Sequence, residues 1–147
     1  MRKILLVDND ITFIWGLKKY LQRRGYAVET AATLAEAREM IKQEAPLLIC
    51  SDLCLPDGSG LELLAEVRTC NKDTPFIIAS CYEKDDYEQE ALQHGVTICM
   101  DKIKSALLKD KLVEYAYKEL SEEQPPTFHK LLYLHTDCLL YTSDAAD

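Results

Sequence analysis

Short apolar runs that stop abruptly at polar residues alternate along this chain with stretches of helical period. "ILLV" (4–7) halts at Asp8, "LLIC" (47–50) at Ser51 and Asp52, "FIIA" (76–79) at Ser80, and "TICM" (97–100) at Asp101 and Lys102. Runs this short and this uniformly apolar suit strands buried on both faces; "YAVET" (26–30) is a weaker pattern that suits an edge strand. Between them the period changes. Ile11, Ile14, Lys18 and Leu21 fall on one side of a helix closed by Gly25, with Trp15 beside the stripe. Thr33-x-x-Glu36 and Ser59-x-x-Glu62 have the form of capping boxes, the second directly after the turn signal "PDGSG". A polar helix over 85–94 ends at Gly95, and Leu108, Leu112, Tyr115 and Ala116 form the stripe of a last helix.

The predicted order is (βα)5. Strands that alternate with helices imply a mostly parallel sheet covered on both faces, with right-handed crossovers. In such folds the ligand site lies beyond the carboxyl ends of the strands. Asp8, Asp52, Ser80 and Lys102 each follow an apolar run and therefore meet at that end.

Two carboxylates brought together there repel, and burial raises their pKa values unless a cation lies between them. Mg²⁺ fits, because it takes one or two carboxylates and keeps its waters until a phosphate arrives. A phosphoryl group on one carboxylate would add about two negative charges, met by the metal and by the Lys102 ammonium, with the Ser80 hydroxyl donating to a further oxygen. That arrangement promotes phosphoryl transfer by positioning and charge stabilisation.

The segments "ILLVDND", "SDLCLPDGSGLELL", "PFIIAS" and "MDK" occur in the order and at the spacing of the response-regulator receiver domains of bacterial two-component signalling, and residues 2–120 resemble that family. The resemblance implies a flavodoxin-like doubly wound fold with five parallel strands in the order 2-1-3-4-5. It implies Asp52 as phosphoacceptor, Lys102 as the phosphate-sensing lysine and Ser80 as the switch hydroxyl. Asp8 would be a member of the acidic metal pair, with Asn9, Asp52 and the backbone carbonyl of Cys54 completing the protein ligands for Mg²⁺. The implied partner is a sensor histidine kinase or phosphotransfer protein. The implied output is a reorganised surface of the fourth helix, fifth strand and fifth helix, which regulates an effector such as a transcription factor and can also pair two copies of the domain. The domain would be a signalling phosphoacceptor rather than an enzyme in the ordinary sense.

Three positions depart from the family's pattern. Asn9 stands where a second acid is usual and is expected to weaken metal binding. Cys99 stands where an aromatic switch residue is usual. Ile103 replaces the usual proline after the lysine, so a trans bond is expected there, since a non-proline cis bond costs about 3 kcal/mol. These departures keep open a degenerate receiver that works as a docking module without phosphorylation. "DNDIT" (8–12) also fits the first motif of haloacid-dehalogenase-like phosphohydrolases, with Asp8 as nucleophile and Asp10 as acid-base residue. That reading leaves "SDLCLPDGSG" unexplained, and Asp10 otherwise suits a helix N-terminus.

Composition narrows the rest. Seventeen Lys and Arg against 25 Asp and Glu give a net charge of -8, and no basic run is present to track nucleic-acid phosphates. No apolar run approaches the roughly 20 residues of a membrane-spanning helix, and a cytoplasmic location is expected. Cys50, Cys54, Cys70, Cys81, Cys99 and Cys138 lack metal-ligand spacing and read as free thiols; Cys54, Cys81 and Cys99 are expected near the rim of the site, where small apolar roles outweigh redox ones. Tyr82, Tyr87, Tyr115 and Tyr117 lie on or near the expected output face. "SEEQPP" opens a linker-like region, so residues 121–137 read as a linker or the start of an effector. The last ten residues, "CLLYTSDAAD" (138–147), coincide with the in-frame translation of a transposase-type sequencing adapter and read as a non-native tail.

Overall fold

A computed structural model of the chain describes residues 2–123; residues 121–123 of the linker-like segment end a helix, and the rest of that segment, with the adapter-like segment and Cys138, lies outside the described residues. The described residues up to Ala116 form one compact unit; Tyr117–Glu123, the end of a helix, belong to a second.

Five strands build the sheet: β1 (Ile4–Val7), β2 (Val28–Ala31), β3 (Leu48–Ser51), β4 (Phe76–Ser80) and β5 (Ile98–Asp101). All neighbours are parallel and the order is β2-β1-β3-β4-β5, which is the predicted doubly wound arrangement. The helices are α1 (Ile11–Arg23), α2 (Leu34–Gln43), α3 (Gly60–Cys70), α4 (Glu88–Gln93) and α5 (Ser105–Glu123). The weak "YAVET" pattern is β2, an edge strand that is half-buried along most of its length.

Side chains alternate across each strand and so feed two cores. Leu5, Val7, Ile49, Phe76, Ile78 and Cys99 pack with residues of α2, α3 and α4, among them Leu34, Leu63, Leu64 and Ala91. Ile4, Leu6, Leu48, Cys50, Ile77 and Met100 point the other way, where Leu17 and Leu21 of α1 and Leu108, Leu112 and Ala116 of α5 are buried. Burying a large aliphatic side chain is worth about 1.5–3 kcal/mol, so these two cores supply most of the driving force that fixes the strand ends.

Two local expectations need correction. The buried stripe of α1 is Leu17 and Leu21 with half-buried Phe13 and Ile14, whereas Ile11 is 83% and Trp15 62% exposed. Asp10 caps the helix by accepting from Phe13 N–H, which sets the phase of the first turn and turns residues 13, 17 and 21 toward the sheet. At α2, Thr33 does cap Glu36 N–H, but the Glu36 carboxylate accepts from Ala32 N–H rather than closing a box on Thr33. The box at Ser59 and Glu62 is complete.

Candidate functional site

Register places the site. Val7 pairs with Ser51 across β1 and β3, so the next residues, Asp8 and Asp52, emerge side by side; Ser80 pairs with Asp101 across β4 and β5, so Lys102 follows beside it. Asp52 N–H donates to Val7 O at 2.8 Å, and Lys102 N–H donates to Ser80 O at 3.1 Å. The backbone ladder thus continues one residue past β1, β3 and β5, where Asp8 N–H likewise donates to Ala31 O, before the chain turns.

The Lys102 ammonium lies 2.7 Å from Asp8 Oδ2 and 3.6 Å from Asp52 Oδ2. The three side chains are 10%, 3% and 15% exposed. Asp8 Oδ1 accepts from Asp10 N–H, Asp52 Oδ1 from Leu53 N–H, and the Lys102 ammonium sits 4.5 Å from the centre of the Phe13 ring. Burial, and then the charge of Asp8, hold the Asp52 carboxyl above its ordinary range, with Lys102 opposing. Burial pulls the Lys102 ammonium down, but its hydrogen bond to Asp8 and the charges of both carboxylates outweigh this and hold its pKa up. Two carboxylates share one ammonium, which leaves an excess negative charge in a partly dry site.

The loop after β3 is built to bring a helix start against Asp52. Gly60 N–H donates to Leu53 O, and a β-carbon at Gly60 would collide with the Asp52 carbonyl oxygen and the Ser51 hydroxyl. Cys54 and Leu55 pair with Ser59 and Gly58 in a two-residue antiparallel ladder that folds the loop back. Asp57 reaches to α2, where its oxygens accept from Leu34 and Ala35 N–H.

A sequence model of the response regulator receiver domain matches residues 4–113. The chain belongs to that family. Among its relatives, the photosynthetic apparatus regulatory protein RegA of Cereibacter sphaeroides is 30% identical over 125 residues, which are 85% of this chain and 66% of RegA. The chain therefore spans just under two thirds of that relative's length. A CheY-like receiver domain protein from Methanospirillum hungatei superposes with a TM-score of 0.75 at 28% identity, covering 83% of this chain and 98% of the other. A response regulator from Burkholderia pseudomallei, solved with a phosphorylated aspartic acid, a calcium ion and citrate, gives 0.69 at 27% identity over 84% of this chain and 73% of that one.

The receiver brings Asp8, Asp52 and Lys102 into direct contact and puts Ser80 one hydrogen bond away along the backbone. Ser80 is fully buried, and its hydroxyl oxygen accepts from Tyr82 N–H at 3.0 Å, which leaves its own O–H to donate. Asn9 is exposed and lines, with Asp8, Trp15, Lys18 and Glu36, a cleft of about 290 Å³ on the α1 side of the site. Cys54 and Cys81 are exposed at the rim, whereas Cys99 is buried in the core, where desolvation raises its thiol to about 11. All five described cysteines are free thiols. No peptide bond among the described residues is cis, so Lys102 and Ile103 are joined in trans as expected; an Asx turn, Ile103 N–H onto Asp101 Oδ1, shapes the backbone there.

Some residues of the site escape sequence reading. Phe13 reaches Lys102 across 89 positions of sequence, and no local motif announces it. Asp57 is visible as a turn residue, but its cap on α2 depends on tertiary contact. Tyr87 is 6% exposed and packs into the core that contains Cys99, so it does not belong to the exposed output face; Tyr82 does stand exposed, at 59%.

Proposed function

We propose that Asp52 accepts a phosphoryl group from a phosphohistidine on a sensor histidine kinase or phosphotransfer protein. An Asp52 carboxylate oxygen attacks phosphorus, the nitrogen–phosphorus bond breaks with the electron pair returning to imidazole, and an acyl phosphate remains. The observation that carries this reading is the single Lys102 ammonium held between Asp8 and Asp52 at the ends of three different strands. The phosphorylated aspartate in the Burkholderia relative supports the same chemistry here.

Asp8, Asn9, Asp52 and the backbone carbonyl of Cys54 would hold Mg²⁺, which when bound neutralises charge on the phosphoryl oxygens. The donor set fits a hard cation: two carboxylates, an amide oxygen and a carbonyl, in a site with excess negative charge. Lys102 is already within 3.6 Å of Asp52 and is drawn further toward it as phosphorylation raises the local charge to about -2. Ser80 donates its O–H to a phosphoryl oxygen, and the rotation that carries its oxygen toward the phosphoryl group takes that oxygen away from Tyr82 N–H. The segment between Ser80 and α4 is thereby released, which changes the surface of α4, β5 and α5. On that surface Leu92 and Leu107 are 55% and 49% exposed and suit an apolar contact with an effector or with a second copy.

Against the phosphohydrolase alternative, the Asp10 carboxylate caps α1 through Oδ1, which favours a structural role for that residue over an acid-base one. Intact mass of the full chain after acetyl phosphate and Mg²⁺ tests the proposal. The expected result is one added phosphoryl group, absent in Asp52→Asn and reduced in Asp8→Asn. An adduct lost in Asp8→Asn but kept in Asp52→Asn would support the phosphohydrolase scheme, and no adduct at any Mg²⁺ concentration would leave a docking module.

A further inference from the structure

We infer that Phe13 is a positioning residue for Lys102, its ring being the seat on which the ammonium is held between Asp8 and Asp52. This deepens the reading of Asp52 as phosphoacceptor and rests on it. Lys102 is a long side chain that must be placed closely between two carboxylates. Lysine carries about 2 kcal/mol of rotamer freedom, and in this chain the residue after it is Ile103, 77% exposed, which contributes no ring closure to restrict the backbone. The restraint comes instead from α1.

Four contacts make a closed circuit. Lys102 Nζ meets Asp8 Oδ2 at 2.7 Å, and Asp8 Oδ1 accepts from Asp10 N–H at 2.9 Å. Asp10 Oδ1 accepts from Phe13 N–H at 3.1 Å, and the Phe13 ring returns to Lys102 Nζ at 4.5 Å from its centroid. Asp10 fixes the backbone of residue 13, and the 13-17-21 stripe fixes the direction of the ring, so the seat is built before the ammonium arrives. "DNDITF" is in this light one device, which carries a carboxylate, a cap and an aromatic face at the spacing of one helical turn.

A ring face suits the task better than a third carboxylate. The attraction of a cation to the ring quadrupole is strongest where water is excluded, as at this side chain with 10% exposure. It is also broad in direction, so the ammonium can move from Asp8 toward Asp52 without breaking a hydrogen bond to its seat. A carboxylate would hold it back and add to the negative charge.

The test compares Phe13→Leu, which keeps apolar bulk without the ring face, with Phe13→Tyr, which keeps the face. In the full chain with acetyl phosphate and Mg²⁺, Phe13→Leu is expected to slow phosphoryl uptake roughly three- to thirty-fold, and Phe13→Tyr to restore it to within about twofold. NMR supplies a readout that a packing role would not move. The Lys102 ε-methylene protons should be shifted upfield by the ring in the unsubstituted chain and in Phe13→Tyr, and return to ordinary positions in Phe13→Leu, while the Leu112 methyls stay in place and report an intact fold. Unshifted ε protons in the unsubstituted chain, an unslowed Phe13→Leu, or a Phe13→Tyr as slow as Phe13→Leu would each overturn the inference. If the unsubstituted chain takes up no phosphoryl group, the proposed function falls, and the NMR comparison alone decides whether the ring seats the lysine.

Discussion

The loops that follow β3 and β4 begin alike, each leaving the sheet with a polar residue of the site, and are then held very differently. After β3, Asp52 is tied to Val7 and Leu53, Gly60 closes on Leu53, Ser59 and Glu62 cap α3, and Asp57 caps α2. After β4, the segment from Ser80 has the Tyr82 N–H bond to Ser80, then two turn hydrogen bonds through a 3₁₀ turn at Lys84–Asp86. Helix α4 is six residues long, and its N-cap, Tyr87, makes no side-chain cap bond. Asp52 therefore sits in a rigid frame, while the Ser80 hydroxyl beside it opens into a segment with few bonds to lose. Low local stability is what a segment needs if it is to move when a neighbouring charge changes.

The contrast can be broken most severely at Gly60. Gly60→Ala forces a β-carbon into the Asp52 backbone, and urea denaturation is expected to show a loss of roughly 1–3 kcal/mol together with slower phosphoryl uptake. Ser59→Ala removes a cap of the same loop and should cost about 1 kcal/mol in the same measurement. The other segment should respond weakly. Lys84→Ala removes an exposed pair with Glu88 at 3.9 Å and should shift stability by no more than about 0.5 kcal/mol. Tyr87→Phe sharpens the comparison further: the buried Tyr87 hydroxyl has no hydrogen-bond partner among the described residues, so its removal should leave the urea midpoint unchanged or raise it slightly.

The smallest effect expected is one of pH. Leu34 N–H, and with it Ala35 N–H, hold the Asp57 carboxyl below its ordinary range, against a small desolvation. A group whose folded pKa is depressed contributes stability that is present above its unfolded pKa, about 3.9, and is lost as pH falls through the folded value. The difference in stability between the unsubstituted chain and Asp57→Asn should therefore be constant near neutral pH and shrink only as the solution is acidified below about pH 4. A difference that grew on acidification would contradict the cap.

What could be read from sequence follows from the range of the interactions involved. The strands were legible because both faces of each are buried, which forces a continuous apolar run and a sharp polar end. Four such ends gave Asp8, Asp52, Ser80 and Lys102, since in a parallel sheet the ends converge whatever the intervening loops do. Ser59 and Glu62 were legible because a capping box is local. The predicted stripe of α1 includes Ile11 and omits Leu17 because the helix has apolar residues on more than one side, and only the cap at Asp10 sets its phase. Phe13 and Asp57 act across 89 and 23 positions, on Lys102 and Leu34, and Tyr87 packs into the core that holds Cys99; such pairings are decided by packing rather than pattern.

Asp52 is the residue proposed to carry phosphate. The most direct test of that role is to treat the full chain with acetyl phosphate and Mg²⁺, reduce any acyl phosphate with borohydride to homoserine, and map the product by peptide mass spectrometry. Homoserine is expected at position 52 alone, formed only when Mg²⁺ is present during phosphorylation. Homoserine at position 8, or none anywhere while a control receiver is labelled under the same conditions, would contradict it.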